Sequence, residues 1–320
     1  MDRHRARGRR ARPSGRKPLL SLAVASAVLV GATAAGAVYV QAQAHDGPAA
    51  VSSSAPASPS SSPAGSEEAS VEPVAEPSVD RDALLAKALR SVSVPDGART
   101  SVAVLDVDSG ESAVHGDASF DTASIVKVDI LAALLLQAQK ADRRLTARER
   151  TYATAMIENS DNASASALWA VIGRADGLDS ANRRFGLTDT VGGDGELWGL
   201  TRTTASDQLR LLRQVFGDDS ELSGTSRSYL QGLMGKIAAD QRWGVSAAAD
   251  GSGWALKNGW LARSTTGLWV VNSVGRISVD GHDYLVAALS NGNSTQAKGI
   301  SLVEAVAKAA VSAFGDTVEG

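Results

Sequence analysis

Helices laid against an antiparallel sheet of five strands, with a helical second lobe, make up the α+β fold that this 320-residue chain predicts. Three observations carry that expectation. Two short alternating segments come early, a long helical stretch fills the middle, and three more alternating segments precede a closing amphipathic helix.

The elements follow in order. Asp82–Ser91 places Leu84, Leu85, Ala88 and Leu89 at helical spacing. Thr100–Val107 alternates as a strand, Asp108-Ser109-Gly110 turns, and Glu111–His115 runs back beside it. A strongly apolar helix then continues to about Arg144, and Thr146 caps the next one, which reaches about Glu158. Asn159-Ser160-Asp161-Asn162 breaks the helical pattern, because such side chains bond their own backbone and favour turns. Helices resume over Ala163–Ile172 and Asp179–Phe185. After the glycine-rich Val191–Gly195, Thr203 or Thr204 caps a helix marked by Leu209, Leu211, Leu212 and Val215. Another helix covers about Ser226–Ile237. Strands are expected at Trp254–Gly259, Gly267–Ile277 and Asp283–Ser290, and a last helix at Ile300–Phe314.

The first 80 residues read differently. Residues 1–18 are basic, and 19–44 hold an uncharged run from Leu19 to Val40 followed by Ala42-Gln43-Ala44. That order is the signature of an export signal, and the run is also long enough for a membrane anchor. Either way the remainder is expected outside the cytoplasmic membrane, secreted or anchored, with residues 19–40 the one membrane contact if uncleaved. Residues 45–80, rich in Ser, Pro, Ala and Glu, read as a flexible tether, because they cannot bury enough apolar surface to fold. The folded domain is then 81–318, expected as a monomer.

Eight of the 32 basic residues and one of the 35 acids lie in the first 17 positions, leaving the rest with a net charge of −10. That balance excludes nucleic acid as a partner, which requires a positive footprint. The chain has no cysteine, so it has no disulfide, thiolate metal site or thiol for a lipid.

Ser124-Ile125-Val126-Lys127 sets a hydroxyl one helical turn before an amine inside an apolar run. Burial lowers a lysine's pKa, and a neutral amine can deprotonate a neighbouring serine. The spacing alone is equally compatible with a lysine whose head reaches water, and it recurs in the basic tail at Ser14–Lys17. Two further motifs follow in order: Ser160-Asp161-Asn162 in a break between helices, and Lys257-Asn258-Gly259 at the end of a strand. Together the three resemble the signature of the class A β-lactamase branch of penicillin-recognising serine enzymes: Ser-x-x-Lys, Ser-Asp-Asn and Lys-Thr-Gly. The resemblance spans residues 81–318.

The resemblance implies acyl transfer without metal or organic cofactor. It makes Ser124 the nucleophile, Lys127 its base and Ser160 the proton relay to the leaving nitrogen. Asn162 would hold the substrate's amide side chain and Lys257 would attract its carboxylate. Gly259 would let the substrate backbone approach the strand edge, and the N–H groups of Ser124 and Trp260 would form the oxyanion hole. Asp161 is expected to be structural.

Three departures bear on this reading. Asn258 stands where the family has Thr or Ser, so an amide would partly substitute for a carboxylate-binding hydroxyl. Ser124 and Ser160 are only 36 residues apart, which implies a trimmed helical lobe. For the deacylating glutamate, Glu196 is the one acid with a fitting neighbourhood, but it lies seven positions before Thr203 and no Asn follows at the family offset. A solvated loop glutamate is the plainer reading of Glu196. The substrates implied are β-lactams or related amides and esters. A D-alanyl-D-alanine peptidase or an esterase with slow release, and a non-catalytic module that binds cell-wall peptides, are the alternatives. A Ser-His-Asp hydrolase is disfavoured, since His45 and His282 lie in tether and turn signals and no Gly-x-Ser-x-Gly elbow occurs. The six tryptophans read as core and cleft wall, with Trp198 and Trp260 the ones a substrate would stack on.

Overall fold

The computed structural model describes residues 79–315. The basic, apolar and tether segments lie outside the described residues, save the last two positions of the tether. In chain order the described elements are α1 (Arg81–Leu89), β1 (Arg99–Asp106), β2 (Ser112–His115), β3 (Phe120–Asp121) and α2 (Val126–Lys140). Then come α3 (Ala147–Glu158), α4 (Asn162–Ile172), α5 (Arg174–Phe185), β4 (Arg202–Thr203), α6 (Ala205–Phe216) and α7 (Gly224–Met234). The chain closes with β5 (Trp254–Ala262), β6 (Trp269–Val279), β7 (His282–Asn293) and α8 (Gln296–Gly315).

The five long strands form one antiparallel sheet in the order β2-β1-β7-β6-β5. Period-two alternation sends successive side chains to opposite faces, and both faces are covered. Val102, Val104, Val286 and Ala288 face a layer built on α1 and α8, with Leu85, Leu302, Val303 and Val306. Ala103, Leu105, Leu285, Ala287 and Leu289 face the helical layer, where α2 and α6 pack. Fully burying each such aliphatic side chain contributes about 1.5–3 kcal/mol, which is why the sheet reads apolar on both sides.

Helix α2 is the axis of the second layer. Residues Val126 to Leu135 are all buried, so this helix has no solvent face along its first turns. Around it the caps fall where the sequence places them. Thr146 and Glu149 form a reciprocal capping box on α3, Asp161 caps α4 by accepting from Ser164 N, and Thr204, not Thr203, caps α6.

Other details differ from the sequence reading. α5 begins at Arg174, five residues before the expected start, because the chain carries Gly177 where it packs on the Ile172 carbonyl, a place that leaves no room for a Cβ. Residues Ala239–Gln241 and Gly244–Ala248 form short 3₁₀ turns where nothing regular was expected. Strands β3 and β4 pair as a two-residue ribbon, Phe120 opposite Thr203 and Asp121 opposite Arg202, too short to leave a periodic signal.

One buried carboxyl tests how α2 and α6 are held together. Asp129 is fully buried and accepts from Gln208 Nε2 at 3.2 Å, while Asp129 Oδ2 and Gln208 Oε1 have no partner. Gln208 also donates to Thr203 Oγ1, which meets Thr190 Oγ1, and that hydroxyl donates to buried Asp207. Burial, reinforced by the Asp207 charge, pushes the Asp129 carboxyl up to about 7 against the Gln208 bond that lowers it. Two bare acceptors on side chains already bonded to each other are what a carboxylic acid would satisfy. A carboxyl raised in the fold keeps its proton there while the unfolded chain loses it near pH 4, so stability falls as pH rises and levels off above about pH 7. Asp129→Asn removes this dependence. Its melting temperature relative to wild type is expected to improve steadily from pH 4 to pH 7 and then stay constant; a pH-independent difference contradicts the assignment.

Candidate active site

Ser124 sits in a 3₁₀ turn, Ala123–Ile125, immediately before α2, rather than inside the helix itself. Two devices fix that turn. Asn272, in mid-strand β6, donates its amide to the carbonyls of Asp121 and Thr122 at 2.9 and 3.0 Å. Gly259 on the edge strand β5 lies against the turn so closely that a Cβ there would stand 2.7 Å from Ser124 N and 2.8 Å from Ile125 N. Gly259 therefore admits the protein's own backbone, a reason for glycine separate from the expected approach of a substrate. Asn272 left no sequence signal beyond a polar amide among valines.

Lys127, the second residue of α2 and one turn on from Ser124, is fully buried. Nζ donates to Ser124 Oγ at 2.9 Å, Ser160 Oγ at 3.0 Å, the Ser160 carbonyl at 2.7 Å and Asn162 Oδ1 at 2.8 Å. Four acceptors meet an ammonium that has only three hydrogens. Desolvation lowers the amine to about 7, with the Asp161 carboxylate acting in the opposite direction. Near neutrality the amine is thus neutral in a large share of molecules, and its lone pair can accept the Ser124 hydroxyl proton.

The second motif reaches the amine through backbone strain. Ser160 has φ of 54° and Ala123 has φ of 48°, left-handed values uncommon for residues with a Cβ. Such conformations cost on the order of 1–3 kcal/mol each and persist where the surroundings impose them. At Ser160 the geometry turns both the carbonyl and the hydroxyl onto Lys127. Asp161 is the structural member of its motif, as the sequence suggests: its carboxylate caps α4 and is held below the usual range, first by its hydrogen bonds to Ser164.

The third motif meets the second at one hydroxyl. Lys257 is fully buried, donating to Ser160 Oγ at 3.1 Å and to the Asn258 carbonyl at 2.9 Å. Burial lowers its pKa strongly and the Lys127 charge lowers it further. Two amines therefore meet at one hydroxyl, Ser160 Oγ. Asn258 is also fully buried. Both hydrogens of its amide are engaged, by the Gln241 carbonyl at 2.7 Å and the Trp243 carbonyl at 2.9 Å, and its Oδ1 is unpartnered. An amide so committed has no donor left for a carboxylate, so Asn258 ties β5 to the 239–248 segment and does not stand in for the family's hydroxyl.

Ser124 opens onto a cleft of about 670 Å³ lined by Asn162, Ser166, Glu196, Leu197, Trp198 and Trp260, with Arg263 at one edge. Trp260 packs on Trp243 with ring centroids 5.8 Å apart. Glu196 lines the cleft, but its carboxylate accepts from Arg174 Nε at 2.6 Å with both side chains more than half exposed. It has no bond to Ser124 or Lys127, which agrees with the solvated-loop reading. Trp198 is the residue the motifs do not announce: its ring centroid lies 5.0 Å from Lys127 Nζ. Away from the cleft, Asp106, Asp108 and His282 place one ligand atom each within 4.8 Å of one another on two surface hairpins, the one such group among the described residues.

Comparison with known proteins settles which family this geometry represents. The model described as the beta-lactamase enzyme family matches residues 84–153 and 149–314. The chain belongs to the beta-lactamase enzyme family. A family member of this kind is expected to share the fold with solved structures, and it does. A variant of PBP-A, solved as an acyl-enzyme complex with penicillin G, is 23% identical with a TM-score of 0.62, covering 73% of this chain and 97% of that one. TLA-1, an extended-spectrum beta-lactamase, is 16% identical with a TM-score of 0.63, covering 73% and 98%. At these identities the likeness is one of fold. Among curated proteins, LppW of Mycobacterium tuberculosis, named as a lipoprotein, is 26% identical over 175 residues, or 52% of this chain and 55% of that protein. The chain thus spans about half the length of the curated relatives it matches.

The packing of Gly259 gives a direct test of how the nucleophile turn is held. Gly259→Ala must push the backbone of residues 122–125 away from β5, because its Cβ meets backbone and not a flexible side chain. Overpacking of this kind typically costs about 1–3 kcal/mol. Urea unfolding of the variant is expected to show that loss; stability equal to wild type contradicts the close approach.

Proposed function

We propose that this protein is an exported serine hydrolase of the penicillin-recognising superfamily that is acylated at Ser124 and releases its acyl group slowly. The observation that carries the reading is the Lys127 amine, buried, lowered to about 7 and 2.9 Å from Ser124 Oγ at the mouth of a cleft. In the proposed reaction Lys127 Nζ takes the Ser124 proton and Oγ attacks the carbonyl carbon of a β-lactam or a cell-wall peptide. The N–H groups of Ser124 and Trp260 receive the oxyanion. As the C–N bond breaks, Ser160 gives its proton to the leaving nitrogen and receives from Lys127 the proton taken off Ser124. Asn162, exposed at the cleft and bonded to Lys127, is placed to hold an amide of the substrate.

Slow release is supported by the position of Glu196, whose carboxylate is paired with Arg174 and not with the nucleophile. The acyl-enzyme that penicillin G forms on the PBP-A variant is the parallel. Efficient β-lactam hydrolysis is the less favoured reading for the same reason. A module that only binds wall peptides is disfavoured by the unbroken hydrogen-bond path Ser124–Lys127–Ser160–Lys257. Export rests on the basic and apolar start of the chain, and the match to a protein named as a lipoprotein supports it. Without a cysteine, any hold on the membrane would be through Leu19–Val40.

A fluorescent penicillin separates these readings. The wild type is expected to acquire a covalent label that Ser124→Ala abolishes, and to turn over a chromogenic cephalosporin only slowly. Wild type that takes no label sinks the acylation reading. Glu196→Gln is expected to leave label release unchanged within about twofold, since a surface ion pair of this kind contributes little; a large slowing of release would restore Glu196 as the deacylating base.

A further inference from the structure

We infer that Trp198 is the residue that keeps hydrolytic water from the acylated Ser124, and so sets the lifetime of the acyl-enzyme. The inference rests on the acylation reading and goes beyond it by assigning slow release to a side chain that covers the site, rather than to a missing base alone.

The loop that carries Trp198 is tied down along its whole length. Gly192 N donates to Asp179 Oδ1, Trp169 Nε1 to the Gly195 carbonyl, Arg174 to Glu196, and Gly193 N to Thr201 Oγ1. Leu197 N reaches back to the Asp194 carbonyl, and residues Trp198–Leu200 close a 3₁₀ turn. The loop then joins the nucleophile segment directly, because Thr122 N donates to the Thr201 carbonyl at 2.8 Å. Gly199 lies against the backbone of Ala123, and a Cβ on it would stand 3.9 Å from Ala123 Cα.

The indole at the head of this turn is also fixed in rotation. Trp198 Nε1 donates to Ser166 Oγ at 3.0 Å, and the ring presents its face to Lys127 Nζ at 5.0 Å. Trp offers a single N–H and no acceptor. With that hydrogen engaged by Ser166, the ring face turned toward Lys127 can neither hold nor activate a water. The cation that forms when Lys127 takes the Ser124 proton faces the electron-rich ring, which favours it. One side chain therefore lies beside the amine that takes the proton and forms the cleft wall next to it, where water would otherwise be held.

Release of the acyl group needs water to add to the ester carbon, the bond from that carbon to Ser124 Oγ to break, and a water proton to end on Oγ. Hydroxylamine performs the same displacement as a stronger neutral nucleophile, leaving a hydroxamate and a free serine. It distinguishes exclusion from a missing base. If Trp198 covers the site, hydroxylamine is kept out of the wild-type adduct; if only a base is missing, hydroxylamine attacks the wild type readily.

The experiment follows the mass of the full-length protein after labelling with a fluorescent penicillin, with and without hydroxylamine, in wild type, Trp198→Phe, Trp198→Leu and Ser166→Ala. Ser166→Ala frees the indole without removing it, so it keeps the test open if a Trp198 variant misfolds. Trp198→Leu and Ser166→Ala are expected to shorten the adduct lifetime in hydroxylamine by about tenfold or more relative to wild type, a change of one decade in rate or greater. Trp198→Phe, which keeps a ring but loses the bond to Ser166, is expected to fall between. Equal hydroxylamine sensitivity in all four proteins overturns the inference while leaving acylation intact. Absence of any adduct on wild type overturns the acylation reading, and this inference with it.

Discussion

A primary amine with no path to water is the constraint around which this molecule is arranged. Lys127 lies on a helix that is buried on every side at that level, so the usual escape of a lysine head to solvent is closed. An ammonium in that place is costly, and the fold offsets the cost in two ways. It supplies four oxygen acceptors from three residues, and it lowers the amine to about 7 so that the charge is absent in much of the population. The same two responses are what the proposed acylation requires of its base. Stability and chemistry are met here by one arrangement.

Much of the surrounding structure can be understood as what holds those acceptors in place. Ser124 is kept in register by the Asn272 amide, which bonds the Asp121 and Thr122 carbonyls, and by the Gly259 backbone packed against its turn. Ser160 is held in a left-handed conformation between two capped helices, with Asp161 capping the second. Lys257 reaches the same hydroxyl, and burial first, with the Lys127 charge second, holds its amine well below the ordinary lysine range. The loop from Thr190 to Thr203 is fastened to α4, α5 and α6, and its Trp198 ring lies over the amine.

The fold was legible in the chain because its two periods are clean. Period two in Val102–Leu105 and Leu285–Leu289 sends alternate residues to separate helical layers, and period 3.6 marks the helices between. What escaped were elements held by single contacts, such as the Phe120–Asp121 and Arg202–Thr203 ribbon and the turns around Gln241. That Ser124, Lys127, Ser160 and Lys257 come together was legible for a different reason: three short motifs in fixed order imply a shared centre even though 97 residues separate Ser160 from Lys257. The roles of Asn258 and Gly259 were not, because a motif gives residue type and not direction. Asn258 turns its amide into the body of the protein and Gly259 faces the protein's own backbone. Trp198 was visible as a tryptophan but not as the ring above Lys127, since that depends on how the glycine-rich loop folds back.

The most direct test of the central claim is the second-order rate of acylation by a fluorescent penicillin, measured from pH 5 to pH 9. A neutral Lys127 acting as the base predicts a rate that rises with pH and inflects near 7, where the amine loses its proton. In Lys127→Ala the inflection disappears and the rate falls by about 10²–10⁴-fold, the usual contribution of a general base. A flat profile in the wild type, or a Lys127→Ala protein that acylates at the wild-type rate, would contradict the account.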